Sequence, residues 1–486
     1  MRRGIRLVTA PERQETELID KIKKEVRRDL PGALVSLGLH VVVLLVLALI
    51  AVAVKGGPDI GAIQLEWAKE QIASAPPAVQ MVTPIRIEQP NLVPLTPPPM
   101  VEKPKEAVTQ TQPVEVKPVD MKKSLSGRQK KDADKLTTRD AFNEDSRKAI
   151  DRSLAWIVRQ QFPDGHWSLQ GPYPDGASTR WSTDVGGTGL ALLALLGDGH
   201  TPQLGNHSAA VAKGLKWLQG TQQSSGVFYQ GVEEGREPTF YAHSIATMVM
   251  CEALTLTGDE QYRAAAEKGI EYLVRSQNPV EGGWGYRPLD ETGEGDLSVS
   301  GWALMALHTA RMADIEVPGG AFLLASRFLD RCQEAPANES RYKYRPNFSP
   351  ATDIEQRAAM TASGLLARQW MGWPKNYPPL IVGVDFLLEE NQQPRWEAYH
   401  RNAYGWYYAA EVLHNYGGDR WKEWFADLQQ MVVSAQKTRG RDSGSWDPNT
   451  PVGSPHEWSD KSGRLYLTVL CTLILETPFR HEPLYE

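Results

Sequence analysis

Nine side chains could do chemistry together if six helices began on one rim: Asp184, Tyr241, His243, Asp296, Asp353, Glu355, His400, Tyr404 and Arg464. They mix carboxylates, imidazoles, phenols and a guanidinium, a set suited to acid–base work on a sugar or uronate. Hydrolysis would need two of the carboxylates roughly 5–10 Å apart. The same residues have a plainer use. An Asp at a helix start accepts from a backbone N–H as an N-cap, and Asp184 with Ser182 and Thr183, or Asp296 with Ser298, fits that role. His243 and His400 cap poorly, so they stay open as bases, although a lone His more often serves structure. In Tyr404-Gly405-Trp406-Tyr407-Tyr408, Tyr404 and Tyr408 share one helical face. Those rings could stack on a sugar, hold an isoprenoid, or pack the core. His308 and His414 have no H-x-x-x-H partner and read as C-terminal-turn residues. The three cysteines form no C-x-x-C pair, so neither a metal nor a cofactor is expected.

The elements that must position these groups are set by a repeating unit, clearest over residues 268–311. Ile270, Leu273 and Val274 recur at i, i+3 and i+4, the mark of an amphipathic outer helix. Asn278-Pro279 ends it, and Gly282-Gly283 turns the chain under Trp284. Val299, Trp302, Leu304, Met305 and Leu307 then make a helix that is apolar nearly all round and must be buried. The unit recurs from residue 142. Outer helices ending at or near a Gln start close to residues 149, 211, 265, 321, 380 and 428. Each is followed by an aromatic turn: Trp167, Phe228, Trp284, Tyr342, Trp396 and Trp446. Inner helices are expected over 188–196, 241–256, 299–312, 358–370, 404–414 and 465–475.

Six helix pairs without a convincing strand predict an all-α fold, an (α/α)6 toroid. The first and last units keep full apolar inner helices, whereas an open solenoid needs polar caps at its ends, so closure is favoured. All six inner helices then run the same way. Their N-terminal ends gather at one mouth around a central cavity, and their dipoles converge there.

The pattern Lys-Gly-x-x-aromatic-Leu-x-x-x-Gln, then Gly-Trp, stands at residues 213–222 and at 268–277 with Gly283-Trp284. It resembles the repeat of squalene/hopene cyclases and protein prenyltransferase β-subunits, over residues 145–479. The resemblance implies that the Gln and the aromatic are structural ties. It does not carry the chemistry across. Those cyclases protonate an olefin with an Asp of D-x-D-D, which is absent. The prenyltransferase zinc pair Asp-x-Cys is replaced by Asp296-Leu297-Ser298, and zinc favours a thiolate. The G-C-G-E-Q of a complement-type thioester toroid is absent as well.

Ahead of the toroid, assigned to residues 141–486, lie three expected segments. Residues 1–32 are polar, with nine Lys/Arg against six Asp/Glu. Residues 33–54 carry no charge and would span ~33 Å as a helix, enough for a bilayer. An uncleaved transmembrane helix is expected, with a cytoplasmic N-terminus and an exported, periplasmic toroid. Residues 55–140 read as a disordered, Pro-rich and charged linker, eleven prolines falling between Pro76 and Pro118. Basic residues there, Arg128 among them, read as a solvated linker. Ser36 and His40 share one face of the membrane helix. With the basic tail and Pro-rich stalk, this resembles the anchor of TonB-type energy transducers, which implies a partner like the ExbB–ExbD proton channel.

The chain holds 53 Lys+Arg against 59 Asp+Glu, a net charge of −6, which excludes a nucleic-acid footprint. The expected function is a membrane-anchored module binding an isoprenoid, glycan or protein. The alternatives are an enzyme at the cavity, terpenoid cyclase-like or glycan-directed, and a TonB-like energy-coupled envelope protein.

Overall fold

The computed structural model describes residues 125, 128, 142–229, 239–286, 294–334, 340–347, 354–453 and 456–485. Among the described residues twelve α-helices follow one another in outer–inner pairs. The outer helices are α1 Glu144–Arg159, α3 Ser208–Thr221, α5 Arg263–Arg275, α7 Gly319–Cys332, α9 Pro378–Leu387 and α11 Asp419–Ala435. The inner helices are α2 Asp184–Gly197, α4 Thr239–Thr257, α6 Leu297–Met312, α8 Ile354–Trp370, α10 Ala403–Tyr416 and α12 Ser459–Arg480. Among the described residues there are isolated β-bridges but no strand. The fold is all-α, as the helical periods required.

Local chemistry explains the ends. Asn143 caps α1 by accepting from the Ser146 N–H, with Glu144 and Asp145 in the first turn and Arg159 in the last. Pro378 stands in the first turn of α9, where a missing N–H costs nothing. The inner helices are buried nearly all round. In α6 every residue but Arg311 is buried, and in α2 every residue but Asp184.

Each inner helix packs on the next, and α12 packs on α2; α11 likewise packs on α1. The ring is closed. One glutamine in each of four repeats makes the joint. The Nε2 of Gln161 donates to Gly165 O in its own turn and to Ala210 O in the next outer helix. Gln222 does the same to Gly226 and Ala265, and Gln277 to Gly282 and Ala321. Gln436, in the last repeat, donates to Gly444 O and across the seam to Ala149 O of the first, 2.8 Å away. The fifth repeat departs from the pattern, since Gln393 turns back on Leu388 and Glu389. Turn tryptophans complete the scheme. Trp167, Trp284 and Trp446 donate their indole N–H to Ile157, Leu273 and Val432 carbonyls of the preceding outer helix.

Aromatic side chains meet where the inner helices converge. Trp302 stacks on Tyr407 (6.2 Å) and meets Tyr408 edge-on (6.3 Å), and the Tyr407 hydroxyl reaches the Met305 sulfur at 3.7 Å. Among the described residues no helix is long and apolar enough to cross a membrane. Residues 33–54, with Ser36 and His40, lie outside the described residues, as does all but Arg128 and Leu125 of the linker 55–140.

Candidate functional site

The inner helices do begin on a common lip, and the bonds across it show which side chains meet. Asp296 is the N-cap of α6. It accepts from the Ser298 N–H (2.9 Å) and from the Ser298 hydroxyl (2.6 Å), while its other oxygen accepts from Arg345 Nε (3.1 Å). The carboxylate is 3% exposed. With Ser298 donating to Asp296, the Tyr241 hydroxyl, 2.6 Å from Ser298 Oγ, donates in turn to the serine. Tyr404, from α10 across the ring, donates to the Ser298 carbonyl at 3.0 Å. Tyr286 sits edge-on to Tyr241 at 5.9 Å, and Tyr408 lies 5.0 Å from Tyr404.

The result is a phenol-rich lip with two buried acids, Asp296 and, between the starts of α10 and α12, Glu457, which accepts from Arg401 at 2.9 Å and from Ser459 at 2.7 Å. Burial drives the Tyr241, Tyr404 and Tyr408 hydroxyls well above their ordinary range, so they are donors and not phenolates. Burial also pushes the Asp296 carboxyl up, with Ser298 and Arg345 pulling it partly back. Among the described residues no group of three or more His, Cys, Asp or Glu could hold a metal ion.

The remaining expected residues scatter. Asp184 opens α2 but does not cap it: Thr183 accepts from the Gly186 N–H, and Asp184 is exposed, 3.9 Å from His166. His243 is fully buried, and its Nδ1 accepts from the Phe228 N–H at 3.4 Å. Nε2 then carries the proton and donates to Gly269 O at 3.2 Å. Desolvation takes its pKa down to about 3. It is a structural tie, standing where other repeats use a hydroxyl on the turn aromatic's N–H: Thr188 for Trp167, Ser300 for Trp284, Thr361 for Tyr342 and Thr468 for Trp446.

His400 is part-exposed and bonded through Nδ1 to Arg395. It lines a cleft of about 30 Å³ with Asn402, Trp406 and Trp424. Arg464 forks onto Asp175 (2.7 and 3.0 Å) and donates to Ser445 Oγ, closing repeat six on repeat one. Asp353 lies outside the described residues; Glu355 lies within α8, its side chain outside them. Among the seven of these residues whose side chains are described, Tyr241, Asp296 and Tyr404 converge.

Sequence reasoning missed the opposite pole, where the inner helices end. Arg480 of α12 donates to Glu252 of α4 (2.8 Å), to Leu193 O of α2 (2.9 Å) and to Glu476 (3.3 Å). Arg128, read as linker, is 3% exposed and grips Glu252 with both terminal nitrogens. Glu411 faces His481 at 3.4 Å, and a cleft of about 20 Å³ lies between them and His308. His308 stacks on Trp370 at 4.7 Å. The available signal was a single acid inside each of two otherwise apolar inner helices, Glu252 and Glu411.

No protein-family model matches the chain. Over 195 residues, 36% of this chain, it is 31% identical to the probable squalene–hopene cyclase of Sinorhizobium fredii (strain NBRC 101917 / NGR234). The toroid is squalene cyclase-like. The match spans 28% of that curated protein. Two solved structures overlap the toroid loosely. The GH76A alpha-1,6-mannanase from Salegentibacter sp. HEL1_6 shares 10% identity at a TM-score of 0.46, over 68% of this chain and 98% of that one. The type II terpene cyclase MstE from Scytonema shares 12% identity at 0.43, over 69% and 98%. Overlaps of this depth leave the squalene cyclase-like toroid without an assigned substrate.

Proposed function

We propose that the chain is a membrane-anchored, exported binding module whose squalene cyclase-like toroid offers its phenol-lined lip to a hydroxyl-rich ligand, a glycan segment. One observation carries this reading. Both acids on the lip are committed, Asp296 capping α6 and held by Ser298 and Arg345, Glu457 held by Arg401 and Ser459, while the phenols are un-ionised donors. Such a surface recognises sugar hydroxyls and ring faces without supplying a free acid. The described clefts, about 30 and 20 Å³, would each hold about one water, which speaks against a polyprenyl ligand seated in them. The expected anchor, residues 33–54, would place the toroid in the periplasm. His40 and Ser36 would be its contacts with an ExbB–ExbD-like channel.

The test is binding of the full chain in detergent to immobilised envelope glycans, with mass spectrometry of whatever co-purifies. Binding by wild type and its loss in Tyr241→Phe would support the reading. Co-purified isoprenoid, or a partner protein with no glycan retained, would overturn the choice of ligand. A second reading, an enzyme, is favoured by the chain of donors from Tyr241 through Ser298 to Asp296. Turnover of an oligosaccharide that disappears in Asp296→Asn, while binding persists, would establish it instead.

A further inference from the structure

Arg128 stands far from the helices it touches in sequence, 352 positions before Arg480 and 124 before Glu252. Its guanidinium is nevertheless fully sequestered at the pole. Nη1 and Nη2 donate to the two Glu252 oxygens (2.7 and 3.2 Å), and Nε donates to the Arg480 carbonyl at 2.8 Å. Nη2 also lies 3.2 Å from His481 Nε2. This is the two-pronged geometry in which Arg recognises a carboxylate.

Two further observations show a place built for it. Glu252 and Glu411 are buried carboxylates held in the ionised form, against which α12 supplies one guanidinium, Arg480. Arg128 supplies the second; with the Glu476 carboxyl pushed well above its ordinary range by burial, the two guanidiniums balance the two ionised acids, as a low-dielectric pocket demands. Gly199, just past the end of α2, leaves room for the backbone: a Cβ there would lie 2.1 Å from the Arg128 carbonyl oxygen.

We infer that the pole is a socket for the chain's own upstream segment, with Arg128 as its key. The docked guanidinium staples α4 of the second repeat to α12 of the sixth, over the first repeat's inner helix. The toroid therefore begins before residue 141. Arg128 itself is fastened to the pole. This holds whether or not the lip binds a glycan.

Trypsin reads the docking directly, because it must take the arginine side chain into its own pocket. In the full wild-type chain, cleavage after Arg128 should be roughly tenfold or more slower than in a free peptide of residues 119–137. Equal rates would overturn the inference. Arg128→Ala should lower the melting temperature of the full chain, and Arg128→Lys should recover only part of the loss. Low millimolar guanidinium chloride should raise the Arg128→Ala melt where equimolar sodium chloride does not. An unchanged melt, or equal effects of the two salts, would count against the socket. Should Arg128→Ala fail to fold, the wild-type cleavage rate still decides.

Discussion

At the lip, buried phenols surround the capping acid Asp296, with Arg345 at its edge, and one buried ion pair, Arg401–Glu457, joins the starts of α10 and α12. At the pole, two guanidiniums and three carboxylates, those of Arg128, Arg480, Glu252, Glu411 and Glu476, are all nearly or wholly out of water. Both ends are bounded by the same six inner helices, so the difference lies in side chains alone. Phenol contacts give donors that can be released to a ligand at small cost. A buried ion cluster gives a joint that is costly to open, because an unpaired charge left inside is worse than none. The pole is built to hold and the lip to engage.

The largest effect should come from breaking the pole. Arg480→Met keeps the apolar stem of the side chain but removes the guanidinium, leaving Glu252 with Arg128 alone and Glu476 without its ion partner. Urea unfolding should show a loss of about 3–5 kcal/mol. A loss near zero would mean that the cluster is hydrated and that the contrast between the ends is false.

Acid should separate the two ends by sign. Burial alone would raise Glu252, but Arg128 and Arg480 override it and hold the pKa at about 2, below the ordinary 4.5. Its stabilisation is therefore present above pH 4.5 and lost as pH falls towards 2. Asp296 is raised above its ordinary 3.8, chiefly by burial. Its contribution is fullest below pH 3.8 and fades as pH rises through the folded value. Glu252→Gln should flatten the acid limb of the stability–pH curve between 4.5 and 2. Asp296→Asn should remove a slope of the opposite sign while keeping the cap.

The seam comes next. Gln436→Ala removes two donations, to Ala149 and Gly444, and an acceptor for Arg152. The expected loss is about 1–3 kcal/mol, at least that of Gln222→Ala inside the ring, by urea unfolding. A seam mutant that costs nothing would indicate ends that part in solution.

The ring was legible because its ties are periodic: a Gln, a Gly and an aromatic recur in sequence, and the bonds they make repeat in space. The side-chain acceptor that receives each turn aromatic's N–H, a hydroxyl or the His243 ring, was harder to read. It lies 21, 15, 16, 19 and 22 positions on in the repeats where it occurs, so loop length blurs the period. His243 therefore stayed open as a base in the sequence, and the structure makes it one of these acceptors. The lip was read from helix starts, and three of the seven described residues met there because a start fixes height around the ring but not direction. Asp184 faces outwards and Arg464 turns to the seam. The pole was illegible for a different reason. Glu252 and Glu411 are each the one acid of a largely apolar helix, Arg480 is the last residue of α12, and Arg128 sits among other basic residues. Only folding shows that they share one volume.

The smallest stability effect should fall on the lip, and there the contrast is sharpest. Tyr404→Phe removes one donation, to the Ser298 carbonyl, which lies in the first turn of α6. The ring itself keeps its packing on Tyr408. By urea unfolding the loss should be about 0.5–1.5 kcal/mol, several times less than at the pole. Retention of immobilised glycan should nevertheless fall, because the hydroxyl removed is one a ligand can recruit. A Tyr404→Phe chain that melts like wild type and binds like wild type would leave the lip as packing alone. One that loses several kcal/mol would make it a second joint like the pole.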